Sequence, residues 1–289
     1  MKRSKAACLK HAAMPSLSHL LGTDGRLLLV GGGRMGLALL QGWLEDGLPK
    51  NAVTVQEPNP SAELLALGVK VDLSITSRHR VIVLAVKPQM ADNILPQLKA
   101  VIGEDTLILS LMAGITLDKI RDLCAQSCSY VRTMPNTPAA IGAGITALFA
   151  SEDVGHENRN IATSLMGAVG ETLWVDDENS LDAVTALSGS GPAYVFHLVE
   201  AMANAGTGLG LTPDDAMRLA RATVMGAGKM LDQQNDPVQI LRQNVTSPGG
   251  TTEAALNVLM PADKGLSDLM RRAMQAAFDR AKELASSNR

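Results

Sequence analysis

Aromatic residues are nearly missing from this chain: Phe, Tyr and Trp make up 2% of its 289 residues, although hydrophobic types reach 46%. Its cores must be filled by Ala, Val, Leu, Ile and the 14 Met, a composition suited to helix–helix and helix–sheet packing. Cysteine is scarce as well. Cys8, Cys124 and Cys128 are odd in number and form no CxxC pair, which excludes a disulfide framework and a zinc cage. No metal site is expected, and a reducing, cytoplasmic setting fits. A strong charge of one sign is also lacking. The formal net charge of −3 supplies no cationic field to collect nucleic acid or an anionic membrane, so a small molecule is the expected partner. Long apolar runs are absent too: those at 107–115 and 139–150 fall well short of the roughly 18 residues that a spanning helix needs.

The first 24 residues hold Lys2, Arg3, Lys5 and Lys10 with no acid before Asp24, but no apolar stretch of the kind a secretory signal requires. They read as a disordered extension, with a translation start at Met14 as an equal alternative and a transit peptide as a weaker one. The remaining length suggests two domains. Short β-rich runs alternate with amphipathic stretches from residue 26 onward, the pattern of βαβ units around a parallel sheet. The expected strands are 27–30, 53–56, 69–71, 81–85, 107–110, 130–134, 145–149 and 172–175. Strand signals stop at Asp176-Asp-Glu178, and helices are expected over 182–205, 213–231, 238–244, 251–259 and 262–286. The fold class is therefore α/β: a Rossmann-type domain over 25–177 followed by an all-helical domain over 178–289.

In Arg26-Leu-Leu-Leu-Val-Gly-Gly-Gly-Arg-Met-Gly36 a buried strand runs into GxGxxG, and 37–43 continues as a helix. Gly31 permits the tight turn, Gly33 lets backbone approach a pyrophosphate at the helix N-terminus, and Gly36 allows close helix–strand packing. Val30, Gly31, Gly32, Gly33, Arg34, Met35 and Gly36 are thus candidates for holding a nicotinamide dinucleotide. About 20 residues on, Glu57 can accept a hydrogen bond from a ribose 2′-hydroxyl, with Asn59 beside it. A 2′-phosphate there would meet a negative charge, and no Arg follows in Gln56-Glu-Pro-Asn-Pro60 to offset it, so NADH is a live cofactor. Val81-Ile-Val-Leu-Ala-Val-Lys-Pro88 ends another strand at the carboxyl edge of the sheet, where Ala85, Val86, Lys87 and Pro88 would face the cofactor. In Tyr130-Val-Arg-Thr-Met-Pro-Asn-Thr-Pro138 two prolines stiffen a loop around Asn136 that could hold the nicotinamide end. Rigid turns that merely close the sheet are the alternative for both segments.

In the helical half, Asn244-Val-Thr-Ser-Pro-Gly-Gly-Thr-Thr252 places a Pro-Gly-Gly turn immediately before a helix. The amides of Gly250, Thr251 and Thr252, aided by the helix dipole and two hydroxyls, are expected to cradle a carboxylate. Simple N-capping of a structural helix is the other reading. Small residues and a proline in Asp182-Ala-Val-Thr-Ala-Leu-Ser-Gly-Ser-Gly-Pro-Ala-Tyr194 let another backbone or a ligand approach closely. His197 reads as a core or interface residue, Cys124 and Cys128 as packing residues, and Asp214 and Asp215 as first-turn charges on a helix.

Taken together, the glycine turn, Ala85-Val-Lys-Pro88, Met134-Pro-Asn-Thr-Pro138, the 182–194 segment and Val245-Thr-Ser-Pro-Gly-Gly-Thr-Thr252 resemble the pyrroline-5-carboxylate reductases, over essentially residue 26 to the C-terminus. The resemblance implies hydride transfer from NADPH or NADH to the C=N carbon of 1-pyrroline-5-carboxylate, giving L-proline in the last step of its biosynthesis. It implies that Thr252 is the active-site threonine, that Glu178 lies near the substrate, that Asn244 contacts the nicotinamide half of the cofactor, and that Met112 and Ala113 form the loop beneath it. The family prefers NADPH, whereas Glu57 here stands where small polar residues often occur. Its helical domain makes an interlocked homodimer, often assembled further into decamers. Two other readings compete: a β-hydroxyacid dehydrogenase, for which Lys229 is the only tempting catalytic lysine, and a non-catalytic dinucleotide-sensing protein of the same fold.

Overall fold

The computed structural model describes Leu17, Leu21 and residues 27–287. These form two compact units, one running through Ser190 and regaining the chain from Ala277, the other spanning Gly191–Ala276.

The first unit is built on an eight-stranded sheet of order 3-2-1-4-5-6-7-8. Its strands are β1 (Leu27–Val30), β2 (Val53–Gln56), β3 (Lys70–Val71), β4 (Val81–Leu84), β5 (Leu107–Ser110), β6 (Ser129–Met134), β7 (Gly144–Ala150) and β8 (Gly170–Trp174). β1, β4 and β5 are buried along their whole length, as strands covered on both faces must be. One core packs Leu27, Leu29, Val53 and Val55 against Trp43 of helix α1 (Arg34–Glu45); the other packs Leu28, Val30, Ile82 and Leu84 with Ile120 and Cys124. Helices α2 (Ala62–Ala66), α3 (Ala91–Ile94), α4 (Leu117–Cys124) and α5 (His156–Gly167) supply the connections. Burial pushes the Cys124 thiol up to about 12, which suits a packing residue and not a nucleophile.

Three features depart from the sequence expectation. All strands read as parallel βαβ units, but β7 runs antiparallel to β6. The link from Met134 to Gly144 holds only the short turn Thr137–Ile141, and a parallel crossover takes a dozen or more residues, so the chain must double back. The expected helix over 182–205 is broken into α6 (Ser180–Val184), a π-turn at Thr185–Gly189 and α7 (Gly191–Gly208). Pro192 has no amide to donate and is tolerated only in the first turn of a new helix, which forces the interruption. Most of the extension expected over 1–24 lies outside the described residues, but Leu17 and Leu21 are buried in the first core and joined by a Leu21 amide to Leu17 carbonyl bond of 3.0 Å. Four apart, they share one face of a turn, so the extension reading fails at those two positions. Compactness also keeps α6 and the π-turn with the sheet, placing the division at 190/191 beside the boundary read at 177/178.

The second unit contains α7, α8 (Pro213–Gln233), α9 (Val238–Asn244), α10 (Thr251–Leu259) and most of α11 (Leu266–Ser287). α8 starts as its sequence dictates: Pro213 occupies the first turn and the Thr212 hydroxyl accepts from the Asp215 amide at 3.2 Å. α7 and α8 meet through Ala203, Ala216 and Ala220, a small buried set for a unit of this size.

Candidate active site

The glycine turn sits between β1 and α1, and its glycines do different work. Gly31 has φ +101°, its amide donates to the Gln56 carbonyl at 2.9 Å, and a Cβ there would lie 2.6 Å from the Ala85 carbonyl oxygen. A Cβ on Gly36 would run into the Gly31 carbonyl. Gly33 is different: a Cβ there would meet nothing within 4 Å. It is the N-cap of α1, in extended conformation and without a side-chain cap, so the first-turn amides of α1 have no capping side chain. Those unfilled donors and the positive end of the helix dipole fit a pyrophosphate.

Glu57 follows β2 and is fixed against this turn. Its Oε2 accepts from the Gly32 amide at 2.8 Å and its Oε1 from the Asn59 amide at 3.0 Å. The carboxylate is therefore fixed against the glycine turn, not a free loop charge, and it keeps lone pairs that can accept from a further hydroxyl.

Further along the carboxyl edge, Ala85 and Val86 follow β4, with the Ala85 amide bonded to the Val30 carbonyl at 2.8 Å; Lys87 is exposed and precedes the short turn Pro88–Met90. After β5, Met112 is buried and Ala113 is exposed. Gly114, with φ +75°, is close to α11: a Cβ on it would lie 3.2 Å from the Cα of Ala285. Asn136 is engaged at both ends of its amide, Oδ1 accepting from the Ile145 amide at 3.0 Å and Nδ2 donating to the Ser188 carbonyl in the π-turn at 3.3 Å. It holds its loop in shape instead of presenting a free amide.

Glu178 is likewise occupied. Its Oε1 accepts from the Leu117 amide, at the start of α4, and from the Arg132 guanidinium, each at 2.8 Å. Arg132 was not among the residues singled out from sequence, although the signal was present: a charged residue inside the buried run of β6 has to be paired.

In the helical unit, α10 begins at Gly250, which is its N-cap without a side-chain cap. The Gly250 amide is already used, donating to the Ser247 carbonyl at 3.0 Å, which removes it from the donor set read from sequence. Among the described residues the amides of Thr251 and Thr252 keep no intrachain acceptor and lie in the first turn. Glu253 reaches back to accept from the Gly249 amide at 2.8 Å, stiffening the turn. Asn244 ends α9 and is exposed. Among the described residues no group of His, Cys, Asp and Glu could hold a metal ion.

A mostly parallel sheet with an uncapped helix N-terminus at its glycine turn and an acidic residue after the second strand defines a dinucleotide-binding oxidoreductase. Comparison with known proteins narrows this class. Residues 26–114 match the family described as "NADP oxidoreductase coenzyme F420-dependent", and residues 178–284 match "Pyrroline-5-carboxylate reductase dimerisation". A pyrroline-5-carboxylate reductase of Haemophilus influenzae is 38% identical over 264 residues, covering 89% of this chain and 97% of that protein. Among solved structures, a pyrroline-5-carboxylate reductase of Coxiella burnetii superposes with a TM-score of 0.83 at 38% identity, covering 91% of this chain and 99% of its own. A pyrroline carboxylate reductase of Plasmodium falciparum, solved with NADP bound, superposes with a TM-score of 0.77 at 27% identity, covering 91% of this chain and 100% of its own. The chain belongs to the pyrroline-5-carboxylate reductase family. That membership removes the β-hydroxyacid dehydrogenase reading, and with it any reason to treat Lys229 as a catalytic lysine.

Proposed function

We propose that this enzyme reduces 1-pyrroline-5-carboxylate to L-proline, the final step of proline biosynthesis, with Thr252 as the residue that touches the reacting nitrogen. The observation that carries the reading is the uncapped N-terminus of α10, where two free amides and the Thr252 hydroxyl stand together. The amides of Thr251 and Thr252 receive the substrate carboxylate, and Gly250 contributes the close backbone approach. Held by that anion, the ring presents its imine nitrogen to the Thr252 hydroxyl, which hydrogen-bonds it and passes on the proton that completes the amine. A reduced nicotinamide bound at the glycine turn would supply the hydride to the imine carbon. Most of the acceleration is orientation, a bound pair replacing a bimolecular encounter, so no strong side-chain acid is required.

Val30, Gly31, Gly32, Gly33, Arg34, Met35 and Gly36 hold the pyrophosphate, Glu57 and Asn59 the adenosine ribose, and Ala85, Val86, Lys87, Pro88, Met112, Ala113 and Asn244 the remainder of the dinucleotide. Asn136 serves this site by shaping its loop. NADPH or NADH fills it, with Glu57 raising the use of NADH. The helical unit makes a homodimer: it carries the matched dimerisation segment and leaves Phe196 64% and Met225 60% exposed. Assembly of dimers into decamers and a cytoplasmic location complete the reading. The test is a side-by-side assay of purified protein with 1-pyrroline-5-carboxylate and each reduced cofactor. Oxidation of at least one is expected, and turnover with neither overturns the proposal.

A further inference from the structure

We infer that Arg132 and Glu178 are positioning residues for hydride transfer, a part-buried ion pair that fixes the loop between β5 and α4. The loop leaves the sheet at Ser110, where the Leu111 amide donates to the Leu84 carbonyl at 3.0 Å, and it ends at Leu117. Its near end is set by the sheet. Its far end is set by Glu178, whose Oε1 takes the Leu117 amide and the Arg132 guanidinium together. Arg132 stands on β6 in register with Ser110, so one carboxylate oxygen ties the start of α4 to the strand beside the loop's origin. The pair is shielded, the Arg132 side chain being 8% and that of Glu178 24% exposed, and a carboxylate at a helix N-terminus is favoured by the dipole. The same loop is backed at Gly114 by Ala285. Held on three sides, Ala113 is the exposed point of the loop.

This inference rests on the proposed placement of Met112 and Ala113 beneath the cofactor. It changes the part assigned to Glu178: the resemblance put it near the substrate, whereas its geometry makes it a strut. A misplacement of about 1 Å can cost about a hundredfold in rate even when the altered residue lies away from the chemistry, so the strut matters through the loop it holds.

Two double variants test this in the full-length enzyme. Arg132→Met with Glu178→Met removes both charges together, which avoids leaving one buried and unpaired and lets the fold survive. It also removes the acceptor for the Leu117 amide. Arg132→Met with Glu178→Gln is equally neutral but keeps an oxygen for that amide. The expected result is a kcat about 10- to 100-fold below wild type for the first, most of it recovered in the second, with thermal midpoints alike and the KM for pyrroline-5-carboxylate unchanged in both. Equal kcat in the two double variants overturns the inference. A raised KM for the imine with unchanged kcat also overturns it, making Glu178 a substrate contact. Ala113→Leu separates the underlying placement: it should weaken binding of the reduced dinucleotide, followed by the cofactor's fluorescence. Unaltered binding would mean that the loop does not lie at the cofactor, and the strut's catalytic role would fall with that placement.

Discussion

Glu57→Gln removes a charge beside the ribose while keeping the side chain's length, so it isolates the electrostatic part of cofactor choice. Two unit charges 4 Å apart repel by about 1 kcal/mol even at the dielectric constant of water and by about 4 kcal/mol at an effective value near 20. A 2′-phosphate carries a charge of about −1.5 to −2 near neutral pH, and the part-exposed position of Glu57 favours the lower estimate. The expected penalty on NADPH is therefore about 1.5–2 kcal/mol, or about ten- to thirtyfold in kcat/KM. NADH should lose about 1 kcal/mol when its ribose hydroxyl faces an amide oxygen instead of a carboxylate. Glutamine has one oxygen for the two amides of Gly32 and Asn59, so the turn loosens somewhat, but that affects both cofactors and cancels in their ratio. Steady-state kcat/KM with each cofactor should show the NADPH-to-NADH ratio rising by about 2.5–3 kcal/mol, or roughly 70- to 160-fold. An unchanged ratio would refute the placement of this carboxylate at the ribose.

The glycines give a paired prediction. Gly33→Asp should fold with a nearly unchanged thermal midpoint, because its Cβ enters open space, yet lose dinucleotide binding; Gly31→Ala should lose about 1–3 kcal/mol of stability through strain at its positive φ and its contact with Ala85. Retained dinucleotide affinity in Gly33→Asp would dissociate that turn from the pyrophosphate. Thr252→Ala should lower kcat about a hundredfold with little change in cofactor affinity, and wild-type turnover would exclude the hydroxyl from the proton path. Phe196→Glu should shift the sedimentation profile toward monomer if the exposed face of α7 is the assembly surface, and an unaltered profile would locate that surface elsewhere.

Local signals carried most of the fold. β1, β2 and β5 begin and end where their apolar runs do, and α9 and α10 where Pro237 and Gly250 punctuate them. The glycine turn was legible for the same reason, since strand, turn and helix adjoin in the sequence. What escaped depends on partners far along the chain. The direction of β7 follows from the length of a connection, not from the strand's own pattern. Arg132 and Glu178 are 46 residues apart, and only the rule that a charge in a buried strand needs a partner hinted at the pair. The loss of the Gly250 amide turns on one backbone bond to Ser247, which residue types alone do not specify.

The meeting of Gly114 with Ala285 also bears on how the protein is made. Roughly 170 residues of chain separate them, about ten to thirty seconds of synthesis at the usual rate of elongation. Over most of that interval, once β8 has been made at Trp174, the first unit has its strands but lacks its last helical segment, since residues from Ala277 onward belong to it. The nascent chain thus carries an unfinished face beside the loop at Gly114 until the segment from Ala277 onward has emerged, so this unit closes late in synthesis.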